Sequence, residues 1–201
     1  MLDETGKDGR RARRSASRVK IVEALKELVR EGQISPGAPD VAQRAGVGLR
    51  TVYRCFEDME ALYREMIAVL HEEFLPRVIT RLDTTDRMTC LDQMTANRAE
   101  LFSDMEPFLL ASEHQRHVYD TLAGDYAFLV RIERDKLGEL INPDGALEAD
   151  TFEALNAVTG FVFWRRLRVE QGLSKPAAAR IMSNTARAIL VASTAVREIA
   201  L

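Results

Sequence analysis

The stretch Pro36–Phe56, PGAPDVAQRAGVGLRTVYRCF, has the punctuation of two short helices joined by a tight turn. Gly37 and Pro39 suit a helix start, since the N–H that proline lacks falls where a donor has no intrahelical partner. This predicts a helix from about Ala38. Val41, Ala42 and Ala45 make a short apolar stripe that stops at Gly46, whose tolerance of positive φ suits a helix end. Val47 is then the buried plug of the turn and Gly48 the cap of a second helix. There Val52 and Phe56 recur at i and i+4 and point inward, leaving Leu49, Arg50, Tyr53 and Arg54 on the opposite face.

A helix that presents Arg, Thr, Tyr and Arg on one side is suited to a DNA major groove. Guanidinium groups can bond guanine edges there, and hydroxyls can hold phosphates. An ordinary helical hairpin with a solvated side has the same pattern, so spacing leaves both readings open.

The run Ala45-Gly46-Val47-Gly48, then Thr51-Val52-Tyr53, then Phe56, with Glu60 and Leu62 beyond, resembles the signature of the tetracycline-repressor-like (TetR) family. The resemblance covers Arg18 to Met66. It implies an all-α, dimeric bacterial regulator, mostly a repressor, that releases DNA when a small molecule binds its C-terminal domain. Carried over position by position, it makes Arg18, Gly48, Leu49, Arg50, Thr51, Tyr53 and Arg54 the DNA-binding residues. Thr51 and Tyr53 match the family pattern and are expected to hold phosphates, with Arg54 as a further phosphate contact or a solvated charge. Leu49 can touch a thymine methyl. Arg50 stands where the family favours a small residue and is the expected base reader. Three other positions depart from the pattern. Gly48 replaces the usual serine or threonine, so capping falls to the backbone. Cys55 replaces a common histidine, and Met59 replaces a phosphate-gripping lysine, although the backbone N–H groups there could still bind an anion.

Composition is consistent with an all-α fold: few aromatics, six prolines spread singly, and no strand-like alternation. The net charge of −3 argues against a chain coated in basic residues. Its distribution is more telling, because every charged residue from Arg10 to Lys20 is basic while the acidic excess follows residue 70. The two cysteines, Cys55 and Cys90, lack partners at metal-ligand spacing and suit a reducing compartment. No apolar run reaches bilayer length and the N-terminus lacks a signal-peptide core, so a cytoplasmic location is expected.

Residues 1–16 read as a disordered basic arm, either a solvated tail or a segment that follows phosphates or enters a minor groove. Ser17 can cap a first helix over Arg18–Glu31 with Ile21, Ala24, Leu25, Leu28 and Val29 inward. Residues 17–66 are thus expected as the DNA-binding domain and 67–201 as the effector-binding and dimerisation domain. Asp58 is a plausible cap for a helix toward Phe74 that Pro76 ends or kinks. Further helices are expected near Asp86–Ser103, Pro107–His117, Val118–Ile141, Asp150–Gln171 and Lys175–Ala200, with breaks at Asn142–Gly145 and Gly172–Pro176.

The central helices supply an effector-pocket set, Met94, Phe102, Phe108, His117, Tyr126 and Trp164, whose methionine and aromatic character suits an adaptable apolar pocket. Each is equally a plain core or surface residue by type. His114 and His117 share metal-compatible spacing, but Glu113 is the only near carboxylate, so no metal is expected. Arg165, Arg166 and Arg168 are expected to form surface ion pairs. The last two helices offer Phe152, Leu155, Thr159, Val162 and Phe163, with Ile181, Ala188, Ile189 and Ala192, as a subunit interface of four-helix-bundle type. Covering the monomer's own core is the other use of those faces. No nucleophile elbow, phosphate loop or zinc motif points to an enzyme, and no cofactor is implied. The expected function is a ligand-released operator-binding regulator, with pseudo-palindromic duplex DNA, a small-molecule effector and a second subunit as partners. The alternative is a helical ligand-binding or adaptor protein of the same fold that has lost operator binding.

Overall fold

The computed structural model describes residues 4–78, 82 and 84–199, with the side chains of 1–11, 13 and 194–201 outside the description. Among the described residues there are α-helices and one π-helical turn, and no strand. In order these are α1 Glu4–Arg30, α2 Ala38–Ala45, α3 Leu49–Cys55, α4 Met59–Val78, α5 Arg87–Gln115, α6 Asp120–Ile141, α7 Ala149–Thr159, α8 Phe161–Arg165 with the π turn Arg166–Glu170, and α9 Lys175–Ile199.

The chain divides into two compact units. Unit one is Met1–Glu73 with Pro107–Tyr126, and unit two is Phe74–Glu106 with Ala127–Leu201. The first unit thus runs past residue 66, where a domain boundary is expected from the sequence, and takes in the segment 107–126. Tyr119 meets Tyr63 with ring centroids 5.1 Å apart, the Thr121 N–H and hydroxyl donate to Glu60 Oε1 at 2.9 and 2.7 Å, and Asp125 Oδ1 lies 2.6 Å from His71 Nε2.

In unit one, Ile21, Ala24, Leu25, Leu28 and Val29 are buried on one face of α1 at helical spacing, and Gly32 follows at φ +95°. Helix α1 begins at Glu4, where an irregular arm was expected; Met1–Asp3 lie outside the described residues. The reason is cooperative: a helix nucleated by the packed segment extends at the cost of one residue per hydrogen bond, and arginine and alanine are good helix formers.

Unit two is held by Leu91, Met94, Leu137, Ile141, Leu155 and Leu190, all buried, with Phe152, Val158 and Ile189 packed against them. Helix α5 runs through Pro107, where a break was expected. Proline removes one hydrogen bond there, but Leu101, Phe102, Met105, Phe108 and Leu109 are buried on both sides of it and hold the helix. Conversely the helix expected over 150–171 breaks at Gly160, which is extended at φ −87°, ψ 168°. Arg98 Nη1 takes the Thr159 carbonyl at 3.1 Å, and the Glu133 carboxyl accepts the Phe161 N–H, so the groups that would continue the helix are paired elsewhere.

Candidate nucleic-acid interface

The interface is built on α2, the turn Gly46–Gly48 and α3. Asp40 fixes the start of α2: its Oδ2 accepts the Gly37 N–H at 2.9 Å and Gln33 Nε2 at 3.1 Å. Val41 and Ala42 are buried, and Gly46 closes the helix at φ 64°, ψ 35°, with its N–H on Gln43 O and the Val47 N–H on Ala42 O. Val47 is half-buried, a looser plug than expected. Gly48 caps α3 without a side chain, at φ −70°, ψ 145°.

Val52, Cys55 and Phe56 are buried under α3, at 2–3% exposure. The outward face carries Leu49, 42% exposed, and Tyr53, 54% exposed, with Arg50 and Arg54 also exposed and Thr51 half-buried. Large apolar or aromatic surface left in water beside guanidinium groups is the arrangement a groove-reading helix needs.

Arg18 is placed differently from a free phosphate contact. Its Nη1 donates to the Cys55 carbonyl at 2.6 Å, its Nε donates to Glu65 Oε1 at 3.3 Å while Nη2 pairs with Glu65 Oε2, and its guanidinium lies 4.4 Å from the Phe56 ring centroid. Arg14 Nη2 adds a bond to the Arg54 carbonyl at 3.2 Å. Two guanidinium groups from α1 thus satisfy carbonyls at the C-terminal end of α3, where the helix dipole favours positive charge. Only the distant pairing makes this role visible; the basic run of α1 was the signal for charge, not for clamping.

Asp58 caps α4 as expected: its Oδ1 accepts the Ala61 N–H at 2.7 Å, so a carboxylate occupies the helix end whose N–H groups could otherwise have met an anion. Glu60 accepts from Thr121, and those bonds hold its pKa below the usual carboxylate value. Arg44 bridges α2 to α1 through Glu27 at 3.4 Å and, just past the end of α1, makes a two-bond contact with Glu31 at 2.9 and 2.5 Å that keeps the Glu31 pKa low.

No family model and no curated protein matches the chain. Among solved structures it is similar to the crystal structure of a TetR transcription regulator from Haloarcula marismortui ATCC 43049, with a TM-score of 0.62 over 87% of this chain and 98% of that one. The chain has the TetR-type fold. At 15% identity the likeness is one of architecture.

In the TetR-type unit two, Met94 and Phe102 line a cavity of about 30 Å³ together with Arg77, Arg98, Glu133 and Lys136. Trp164 is buried beside Phe102, ring centroids 6.4 Å apart, with its Nε1 unpaired. The other three pocket candidates do not line that cavity and belong to unit one. Phe108 is buried under the Arg30 guanidinium, Tyr126 stacks with Arg116 at 4.1 Å, and His117 is exposed. Residue type does not encode which stretch of a long helix faces which core.

Of the interface candidates, Leu155 and Thr159 are fully buried within the single chain, so they are core residues. Thr159 is committed to Arg98, whose Nη1 reaches its hydroxyl at 2.7 Å, and Phe152 and Ile189 pack on the unit-two core. Val162, Ala188 and Ala192 are exposed, and Phe163 and Ile181 are half-buried. Arg165 and Arg166 pair with Glu170, as expected for surface ion pairs, whereas Arg168 meets Glu106 at 3.5 Å with both side chains mostly buried. Among the described residues no cluster of His, Cys, Asp and Glu could hold a metal, and no helix is long and apolar enough to cross a membrane.

The Arg98–Glu133 pair was not anticipated. Burial pushes the Glu133 pKa up to about 7, against the opposing pull of Arg98 and the Phe161 N–H. A visible signal existed: Arg98 interrupts the apolar stripe Met94, Leu101, Phe102 on α5, and a charge on a core-facing stripe implies a buried partner.

Proposed function

We propose that this chain is a sequence-specific duplex-DNA-binding transcription regulator that reads the major groove with α3. The observation that carries this is the outward face of α3, Leu49, Arg50, Tyr53 and Arg54, exposed on a helix propped by buried Val52, Cys55 and Phe56. Arg50 reads a base edge, Thr51 and Tyr53 hold phosphates, and Arg18 positions the helix from behind. The protein acts as a homodimer on a pseudo-palindromic operator, with Val162, Ala188 and Ala192 on the face that meets the second copy. It works as a repressor: an effector in unit two binds the DNA-incompetent state better, and this difference in affinity releases the operator.

The test is selection of bound duplexes from a random pool by the full-length protein. A two-fold symmetric consensus that is lost in Arg50→Ala supports the reading, and recovery of no consensus rejects it. The second reading, a ligand-binding or adaptor protein that has lost its operator, is favoured by one feature: Met59 and the Asp58 carboxylate stand at the helix end where a phosphate would otherwise be gripped. Failure to select any duplex from folded dimer would establish it.

A further inference from the structure

We propose that the cavity between α5 and α6 in unit two takes a small amphipathic monoanion, a compact apolar body with one carboxylate, and that Arg77 and Lys136 receive the carboxylate. This rests on reading unit two as the effector-binding part. The apolar body is accommodated by Met94, Leu101, Phe102 and Leu140, which fall on one face of each helix and line the cavity.

Charge chooses the head group. The lining carries three cations, Arg77, Arg98 and Lys136, against one carboxyl, Glu133, in a chain whose net charge is −3. Glu133 cancels them only in part: burial raises its pKa to about 7 although Arg98 and the Phe161 N–H favour its charged form, and even a full carboxylate leaves the three cations in excess. Arg98 is immobile, held by the Thr159 carbonyl and hydroxyl and by the Glu133 carbonyl. Arg77 and Lys136 can change partner. Their present counterions, Asp104 at 2.8 Å and Glu139 at 2.7 Å, have side chains 51% and 64% exposed. Water resolvates those carboxylates when the cations turn to a ligand, so the exchange costs little. A cationic ligand would meet the three like charges instead.

Size limits the body. A cavity of about 30 Å³ holds roughly two water molecules. A ligand of a few carbons enters by rotation of unbranched side chains, Met94, Arg77 and Lys136, without moving a helix.

The chain's single tryptophan gives a readout that needs no DNA, since Trp164 neighbours the cavity-lining Phe102. Butanoate, hexanoate, octanoate and benzoate would be titrated into the full-length protein, following Trp164 emission and heat of binding. Hexylamine and hexanamide serve as the charge-reversed and neutral congeners. Saturable binding of at least one carboxylate is expected, at least tenfold tighter than hexanamide, with hexylamine weaker still. Arg77→Met and Lys136→Met should each weaken it about tenfold or more while circular dichroism shows the helices intact. Absence of saturable binding for all four carboxylates, tighter binding of hexylamine, or undiminished affinity in the folded double variant overturns the proposal. Duplex selection is scored separately. Duplex recovery with no carboxylate binding sinks this inference alone, and carboxylate binding with no duplex recovered sinks the DNA reading alone.

Discussion

Arg18 donates through Nη1 to the Cys55 carbonyl at 2.6 Å, across 37 residues, and so ties the first helix to the last turn of α3. Glu65 holds the same guanidinium from α4, and the Phe56 ring lies against it. Helix α3 is seven residues long, too short to be stable alone, and takes its orientation from these contacts.

Replacing Arg18 with methionine should therefore lower stability by about 1–2 kcal/mol, the range for a charge-assisted hydrogen bond with a cation–π contact at a partly exposed site. Operator affinity should fall for all duplex sequences alike. The slope of log affinity against log salt separates the roles: a phosphate contact would remove roughly 0.9 from it, whereas a positioning residue leaves it unchanged. Binding isotherms at four salt concentrations, with urea melts of the free protein, measure both.

Arg50 has the opposite expectation. It is exposed and lies on the outward face of α3. Arg50→Ala should leave the melting curve within experimental scatter and cost about 1–3 kcal/mol of specific binding, with base preference relaxed at one position of each half-site. Repeating the duplex selection with the variant reads the preference directly. Uniform weakening with the consensus intact would assign Arg50 to the phosphates.

The turn between α2 and α3 makes a paired prediction. Gly46 sits in the left-handed region, so Gly46→Ala should cost about 1 kcal/mol even though the added methyl group meets no atom within 4 Å. Gly48 has an ordinary φ of −70° and equally open space, so Gly48→Ser should add a side-chain cap and stabilise by a few tenths of a kcal/mol. Urea midpoints for the two variants, with unchanged m values, check the sign of each.

These glycines also show why the helix-turn-helix was legible. Its signals are local: Pro39 and Gly46 bound α2, and Val52 and Phe56 set the inward face of α3 within a few residues. The same holds for the α1 core stripe. What could not be read depends on partners far along the chain. The break at Gly160 requires Arg98, 61 residues from Thr159, and the return of residues 107–126 to unit one requires Glu60 to meet Thr121. Pro107 reads as a breaker on its own and is overridden by burial on both sides. Residue type selected Phe108, His117 and Tyr126 for the pocket, but position along α5 and α6 excluded them from the cavity.

Glu133 supplies the pH prediction. Its folded pKa of about 7 lies above the ordinary value of 4.5, because burial opposes the charged form. The folded protein therefore keeps a proton that the unfolded chain gives up, and stability from this group falls as pH rises from about 4.5 to 7. At 1.36 kcal/mol per pKa unit the loss is roughly 3 kcal/mol, complete just above pH 7. Glu133→Gln removes the titration while its amide oxygen can still accept the Phe161 N–H. The stability of wild type minus that of the variant should drop by that amount between pH 4.5 and 8, with the variant the more stable protein at pH 8. Taking the difference cancels the carboxylates common to both proteins, including Asp125, whose pKa is also raised by burial. Urea melts across this range settle it, and parallel pH profiles for the two proteins would mean that the Glu133 carboxyl stays charged beside Arg98 throughout.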